Sequence, residues 1–242
     1  MVKISAGSYD LNKWLHGGYE EDVVTVIYGG AASGKTNFCL LAAVSQAKKG
    51  NKVIYVDTEG GFSAERVKQI IGKVNGDGKT KQIEDINKVM ENILLLKPTN
   101  FNEQKKVFDR LAKHLEDEAS LIIVDSMTIH YRIELGDSRE RNIQNPGEIQ
   151  KTNSELARQI GILGEITRKK NIPIIVTNQT YNWEDEKKMV GGDILKYWGK
   201  CIIELVNEKG NRTAYLRKHR SLPEKSLNFM IYDGGIRKRG WI

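Results

Sequence analysis

An α/β fold with a mostly parallel central sheet, flanked by helices and extended at its C-terminal end by antiparallel strands, is what this sequence predicts. Three observations predict it. Short apolar, β-branched runs alternate with longer helical patterns as far as Asn178, which is the grammar of βαβ units. Beyond Asn178 strand-like runs follow one another directly. Between the first apolar run and the first helical pattern lie Gly29, Gly30, Ala31, Ala32, Ser33, Gly34, Lys35 and Thr36, which spell GxxxxGK[ST] in a strand-to-helix context.

The parallel strands are expected at Val23 to Tyr28, Lys52 to Asp57, Asn92 to Leu96, Leu121 to Asp125 and Ile172 to Thr177. Each is a compact apolar run suited to a strand covered on both faces. Helical spacing fills the intervals at Thr36 to Lys49, Ala64 to Ile71, Ile83 to Met90, Asn102 to Asp117 and Gly147 to Lys169. The antiparallel run is expected at Tyr197 to Val206, Arg212 to Arg217 and Leu227 to Tyr232, with Glu208-Lys209-Gly210-Asn211 as a hairpin turn. Gly72 to Thr80 reads as a polar loop. Ser126 to Asn145, with few apolar residues among Tyr131, Arg132, Arg139 and Arg141, also reads as a loop. Tyr181 to Asp193 holds Trp183 among charges. Both of these segments come after carboxyl ends of strands, where ligands bind in open α/β sheets. The expected division is a short N-terminal segment, residues 1–22, and one core domain, residues 23–242.

At 242 residues the chain is long enough for one large core. No apolar run approaches the roughly 20 residues that cross a bilayer, and the N-terminus lacks the apolar stretch of a signal peptide, so a soluble, cytoplasmic protein without membrane partners is expected. Cys39 and Cys201 lie inside apolar stretches, and His16, His114, His130 and His219 are scattered, which argues against a zinc site. The net charge is +7, unevenly placed. From Glu208 onward nine Lys or Arg face three acids, so this segment carries +6 while the rest carries +1. A polyanion would be drawn mainly to the C-terminal part; an ordinary solvated lysine-rich surface is the alternative.

The GxxxxGK[ST] segment is a phosphate-binding loop. Its glycines let successive backbone N–H groups curl around a β-phosphate, Lys35 reaches the β/γ oxygens, and Thr36 offers its hydroxyl to Mg²⁺. The expected ligands are therefore ATP and Mg²⁺. A second metal-organising carboxylate is needed, and Asp125 supplies it at the end of the apolar strand Leu121-Ile122-Ile123-Val124. Hydrolysis also needs a group that positions the attacking water. Glu59 is the candidate, because it lies just beyond the strand that should return beside the phosphate loop.

Taken with that loop, YVDTEGGFSAER (Tyr55 to Arg66), LIIVDS (Leu121 to Ser126) and IVTNQ (Ile175 to Gln179) resemble the RecA/RadA recombinase ATPase core, from about Gly7 to Gly235. GGDILKYW (Gly191 to Trp198) and LRKHRSLPE (Leu216 to Glu224) are most similar to the archaeal RadB group, short paralogues of RadA. The resemblance implies a RecA-like core in which Glu59 activates water, Gln179 senses the γ-phosphate and Arg66 contacts the adenine. It implies that Ser126 to Asn145 and Tyr181 to Asp193 correspond to two DNA-binding loops. It also implies single-stranded DNA as a partner, together with recombination or repair proteins such as a RadA recombinase, a Holliday junction resolvase or a DNA polymerase. About 22 residues precede the first core strand and the first Phe is Phe38, so no counterpart of RadA's N-terminal domain or of its polymerising Phe segment is expected. A monomer, homodimer or small closed oligomer is expected rather than a long filament.

Three readings stand open for Lys218, His219 and Arg220: a finger reaching a neighbouring subunit's γ-phosphate, a contact to DNA phosphates, or a surface cluster without a role. The function expected from the whole is an ATP-binding, DNA-binding accessory protein of homologous recombination and DNA repair with weak, Mg²⁺-dependent ATPase activity. Its rivals are an ATP-gated module that regulates repair nucleases or polymerases with little turnover, a RecA-like signalling ATPase without a DNA role, and a full strand-exchange recombinase.

Overall fold

The structure, a computed structural model, describes residues 2–72, 79–115, 119–140, 146–183 and 186–240. Most of the expected loop from Gly72 to Thr80 lies outside these residues, as do Arg141, Asn145, Glu184 and Asp185; so do the side chains of Arg139, Trp183, Glu186, Lys187 and Lys188.

The chain opens with β1 (Lys3–Ile4), α1 (Tyr9–Trp14) and β2 (Tyr19–Glu20), β1 and β2 pairing antiparallel. Ser8 caps α1 by accepting from the Leu11 N–H at 3.2 Å. Leu11, Trp14, Leu15 and Tyr19 are buried in the same apolar cluster as the first long helix, so residues 3–20 pack on the core. There follow β3 (Val24–Gly29), α2 (Lys35–Lys48), β4 (Lys52–Asp57), α3 (Ala64–Ile71), α4 (Lys79–Glu91), β5 (Ile93–Leu96) and α5 (Phe101–Arg110), the last running into a π-helical turn at Leu111–Leu115. Next come β6 (Ala119–Asp125), α6 (Ile129–Glu140), α7 (Pro146–Lys170), β7 (Ile174–Trp183), β8 (Glu186–Met189), α8 (Gly192–Trp198) and β9 (Gly199–Glu208). The antiparallel run ends with β10 (Asn211–His219), β11 (Lys225–Tyr232) and β12 (Gly235–Lys238).

Among the described residues the main sheet runs β12-β11-β10-β9-β3-β7-β6-β4-β5, with β8 attached to β7. From β9 to β5 neighbouring strands are parallel; β9 to β12 are antiparallel. One apolar cluster, built on α1, α2 and α3, covers one face of the sheet. A second, built on α5 and α7, covers the other. Covering on both faces explains why β3, β4, β6 and β7 read as unbroken apolar runs.

Two expectations change. Ser126 to Asn145 is not all loop, because Ile129–Glu140 is α6. That helix is anchored by polar contacts that apolar spacing does not register: His130 Nε2 lies 2.9 Å from the Pro98 carbonyl, and the Tyr131 hydroxyl donates to Asn153 Oδ1 of α7 at 2.7 Å. The strand expected from Tyr197 starts two residues later, since Tyr197 and Trp198 finish α8. The Lys209-Gly210 turn between β9 and β10 is as expected, with φ of 51° and 90°, the pair of positive angles a two-residue hairpin favours.

Candidate functional site

The carboxyl ends of β3, β4 and β6 and the end of β7's parallel pairing converge, and the phosphate loop, Glu59, Asp125 and Gln179 stand there or in the turns just beyond. The loop after β3 turns into α2 at Gly34, whose φ of 110° is open to glycine and strained for other residues. No side chain caps the first turn of α2, so its N–H groups and positive dipole end face the loop. Ser33 Oγ is buried and without a partner among the described residues. Lys35 is 8 % exposed, and its ammonium donates to the Gly29 and Gly30 carbonyls at 3.1 and 2.9 Å. Burial pushes its pKa down, against the opposing pull of Glu59 and Asp125.

Asp125 ends β6, paired in register with Asp57 at the end of β4, and is 3 % exposed. It accepts from the Tyr55 hydroxyl at 2.9 Å, from the Thr177 hydroxyl at 2.5 Å and from the Thr36 hydroxyl. Burial raises its pKa more than these three hydrogen bonds lower it. Asp57 accepts from the Gly61 and Phe62 N–H groups at 3.0 and 3.1 Å, and Thr58 exchanges two 2.7 Å hydrogen bonds with Ser126. The turn carrying Glu59 is thus fastened at both ends. Glu59 Oε1 accepts from Gln179 Nε2 at 2.9 Å, which joins the ends of β4 and β7.

Arg66, on α3, donates through Nε to Asn37 Oδ1 at 2.9 Å and through its terminal nitrogens to the Tyr232 and Asp233 carbonyls at 2.8 and 3.0 Å. It therefore clasps the β11–β12 turn against α2 and α3.

Lys218, His219 and Arg220 lie elsewhere. His219 pairs with Cys201 near the start of β9, which places all three at the amino edge of the parallel strands, opposite the phosphate loop. Arg220 is already engaged, by Glu20 at 2.7 Å and Asp22 at 2.6 Å, and Lys218 donates to the Lys196 carbonyl at 2.8 Å. Sequence reasoning missed Asp57, although it ends an apolar strand as Asp125 does. It also missed Asn178, whose carboxamide accepts from Thr128 and from the Gln179 N–H and donates to the Val190 carbonyl at 2.6 Å. No spacing signals that side chain.

The residues present fit a nucleoside triphosphate and Mg²⁺. Uncapped amides, a partnerless Ser33 hydroxyl and the Lys35 ammonium suit phosphate oxygens; the Thr36 hydroxyl beside the buried Asp125 carboxylate suits a hard cation that takes oxygen ligands.

The family model described as Rad51 matches residues 1–239. The chain is 38% identical over 237 residues to the DNA repair and recombination protein RadB of Methanobrevibacter smithii, covering 93% of this chain and 92% of that one. It is 39% identical over 231 residues to the protein of that name from Methanococcoides burtonii, covering 94% of each. A solved structure described as the RadB recombinase superposes with a TM-score of 0.76 at 34% identity, covering 98% of this chain and all of the other. With a family match over nearly its whole length, the chain belongs to the Rad51 family, on its RadB branch.

Proposed function

We propose that this protein binds ATP with Mg²⁺, hydrolyses it slowly, and acts as a DNA-binding accessory protein of homologous recombination and DNA repair. One observation carries the nucleotide part: the phosphate loop, the Thr36–Asp125 pair and the Glu59–Gln179 pair meet at one edge of the sheet. The name borne by the relatives, DNA repair and recombination protein, supports the setting.

In this reading Lys35 leaves the Gly29 and Gly30 carbonyls for the β- and γ-phosphates, and the amides at the start of α2 hold the remaining oxygens. Thr36 and Asp125 hold the metal ion, which when bound neutralises phosphate charge and fixes the γ-phosphate for in-line attack. Glu59 orients the attacking water and takes its proton. Gln179 gives up Glu59 to face the terminal phosphate, and Asn178 beside it carries that movement to the segments on either side. Partners are sought among recombination and repair proteins.

The test is a pair of variants. Lys35→Ala should weaken ATP binding by about a hundredfold, the scale of one lost charged hydrogen bond. Glu59→Gln should leave the ATP dissociation constant nearly unchanged and slow hydrolysis by about a hundredfold or more. Hydrolysis at the wild-type rate in Glu59→Gln would remove Glu59 from the chemistry.

A further inference from the structure

At the amino edge of the sheet, α8 ends in two adjacent aromatic residues against the second half of α7. The Trp198 ring lies on the Gly164 backbone so closely that a Cβ there would come within 2.3 Å of it. The Arg168 guanidinium stands 5.0 Å from the Trp198 ring centre. Tyr197 meets Trp198 edge-to-face at 5.8 Å, is 72% exposed, and has the Lys200 ammonium 5.7 Å from its ring centre. Between α7 and the starts of β3 and β9 this leaves a groove of about 290 Å³ whose charged and aromatic lining is Asp22, Arg168, Tyr197, Trp198, Lys200 and Arg220. Ligand clefts span roughly 300–1,000 Å³, so the groove suits a single flat group rather than a large cofactor.

Its charges are placed for an anion. Arg168 and Lys200, which line the groove, and Lys218, whose charge acts on that of Lys200 beside it, each donate to a main-chain carbonyl, those of Gly164, Tyr197 and Lys196. Of the carboxylates nearby, Asp22 is held by Arg220, and Glu165 is held by Lys169 with Arg168 acting on it at longer range. Lys218 has its pKa pushed down by burial and then by the like charge of Lys200. A ligand that brings a phosphate and a flat ring together would satisfy both the cations and the ring faces. Single-stranded nucleic acid does this, since its unpaired bases stack on aromatic and guanidinium planes while its backbone meets the lysines. A duplex keeps its bases stacked on each other, and an acidic peptide has no use for the exposed Tyr197 face.

We infer that the groove formed by Arg168, Tyr197, Trp198 and Lys200 is a stacking site for single-stranded nucleic acid. It lies at the edge of the sheet opposite the phosphate loop and apart from the segments after β6 and β7 to which the resemblance assigns DNA. The inference rests on the nucleic-acid part of the function proposed above.

The experiment uses the full chain and a fluorescent oligothymidylate, with affinity read by anisotropy across salt concentration. Tyr197→Ala should weaken binding at least about fivefold, the lower end of one lost base stack, while Tyr197→Phe retains it. Lys200→Ala combined with Lys218→Ala should lower the log–log salt slope by about 1.4, two single-strand phosphate contacts. Lys209→Ala, in the distant β9–β10 turn, should change neither. Wild-type affinity and slope in all groove variants would overturn the inference and leave the nucleic-acid reading standing; a wild-type chain that does not bind the oligonucleotide overturns both. Loss confined to the lysine variant would overturn stacking. Groove variants that keep oligonucleotide affinity but lose a concentration-dependent ATPase would assign the groove to a second copy of the chain and overturn the inference as well.

Discussion

Asp125 carries its charge at a cost. Buried at the end of β6, it has a raised pKa although three hydroxyls donate to it, because desolvation outweighs those hydrogen bonds. For an acid raised on folding, the folded state holds the proton more tightly, so this group favours the folded chain at low pH and opposes it as pH rises from the unfolded pKa through the folded one. A metal ion competes with the same proton. As pH is lowered, Mg²⁺-dependent ATP binding should therefore begin to fall while still above the ordinary Asp range, by about tenfold per pH unit once protonation dominates. Calorimetric titration of Mg²⁺–ATP against pH would show it, and Asp125→Asn should remove that dependence along with most of the Mg²⁺ effect. Asn178 makes the opposite case for legibility. Asp125 could be found because an acid after four apolar residues is costly without a purpose, whereas Asn178 is a small polar residue in a strand-end sequence, and two of its three bonds, to Thr128 and Val190, depend on segments distant in the chain. Asn178→Ala leaves the Val190 carbonyl and the Thr128 hydroxyl without their partner, which should cost about 2 kcal/mol or more by urea unfolding. No loss of stability would mean that water replaces the carboxamide.

At the scale of elements, the parallel strands were legible because each is buried on both faces and so is apolar throughout, and the phosphate loop because its glycines and lysine obey a local rule. Less legible were elements whose reason is tertiary. α6 has few apolar residues and is tied down by His130 and Tyr131, while β8 and the far half of β7 pair with each other as a hairpin beyond the main sheet. α8 ends at a packing contact: Gly164 in the middle of α7 admits the Trp198 ring, and its backbone carbonyl takes the Arg168 Nε–H at 2.8 Å. Glycine inside a helix normally weakens it, so Gly164→Ala would gain helix propensity worth about 1 kcal/mol in an exposed setting. Here the added methyl meets an aromatic ring that packs on the apolar cluster of that face. Overpacking should win, with a net loss of about 1–3 kcal/mol and a shift in Trp198 emission as the ring is displaced. A more stable Gly164→Ala protein would show that the indole can move aside freely.

For the molecule as a whole, the +6 of the C-terminal segment overstates what a polyanion meets, because some of those cations are spent on acids earlier in the chain. Arg217 pairs with Glu204 at 2.6 Å, and Arg220 bridges Glu20 and Asp22. The segment thus ties the antiparallel strands back onto β2 and the start of β3. Glu20 shows why. Its side chain is 2% exposed, its other cationic neighbours, Lys3 and His219, stand at 4.0 and 3.9 Å, and Arg220 is its close partner at 2.7 Å. Burial also pushes the His219 pKa down, so near neutral pH its ring does not supply the missing charge. Arg220→Ala would leave a buried carboxylate almost uncompensated, and removing one partner of a buried pair typically costs about 3–5 kcal/mol. Because the Arg220 side chain is 30% exposed, the lower end of that range, about 3 kcal/mol, is expected by urea unfolding. Exchanging Glu20 to Gln as well should recover part of the loss, because no buried charge then remains. The salt slope of single-strand binding, in contrast, should change by less than the roughly 0.7 of one phosphate contact. A full drop of that size with unchanged stability would make Arg220 a free contact to the backbone and its bonds to Glu20 and Asp22 incidental.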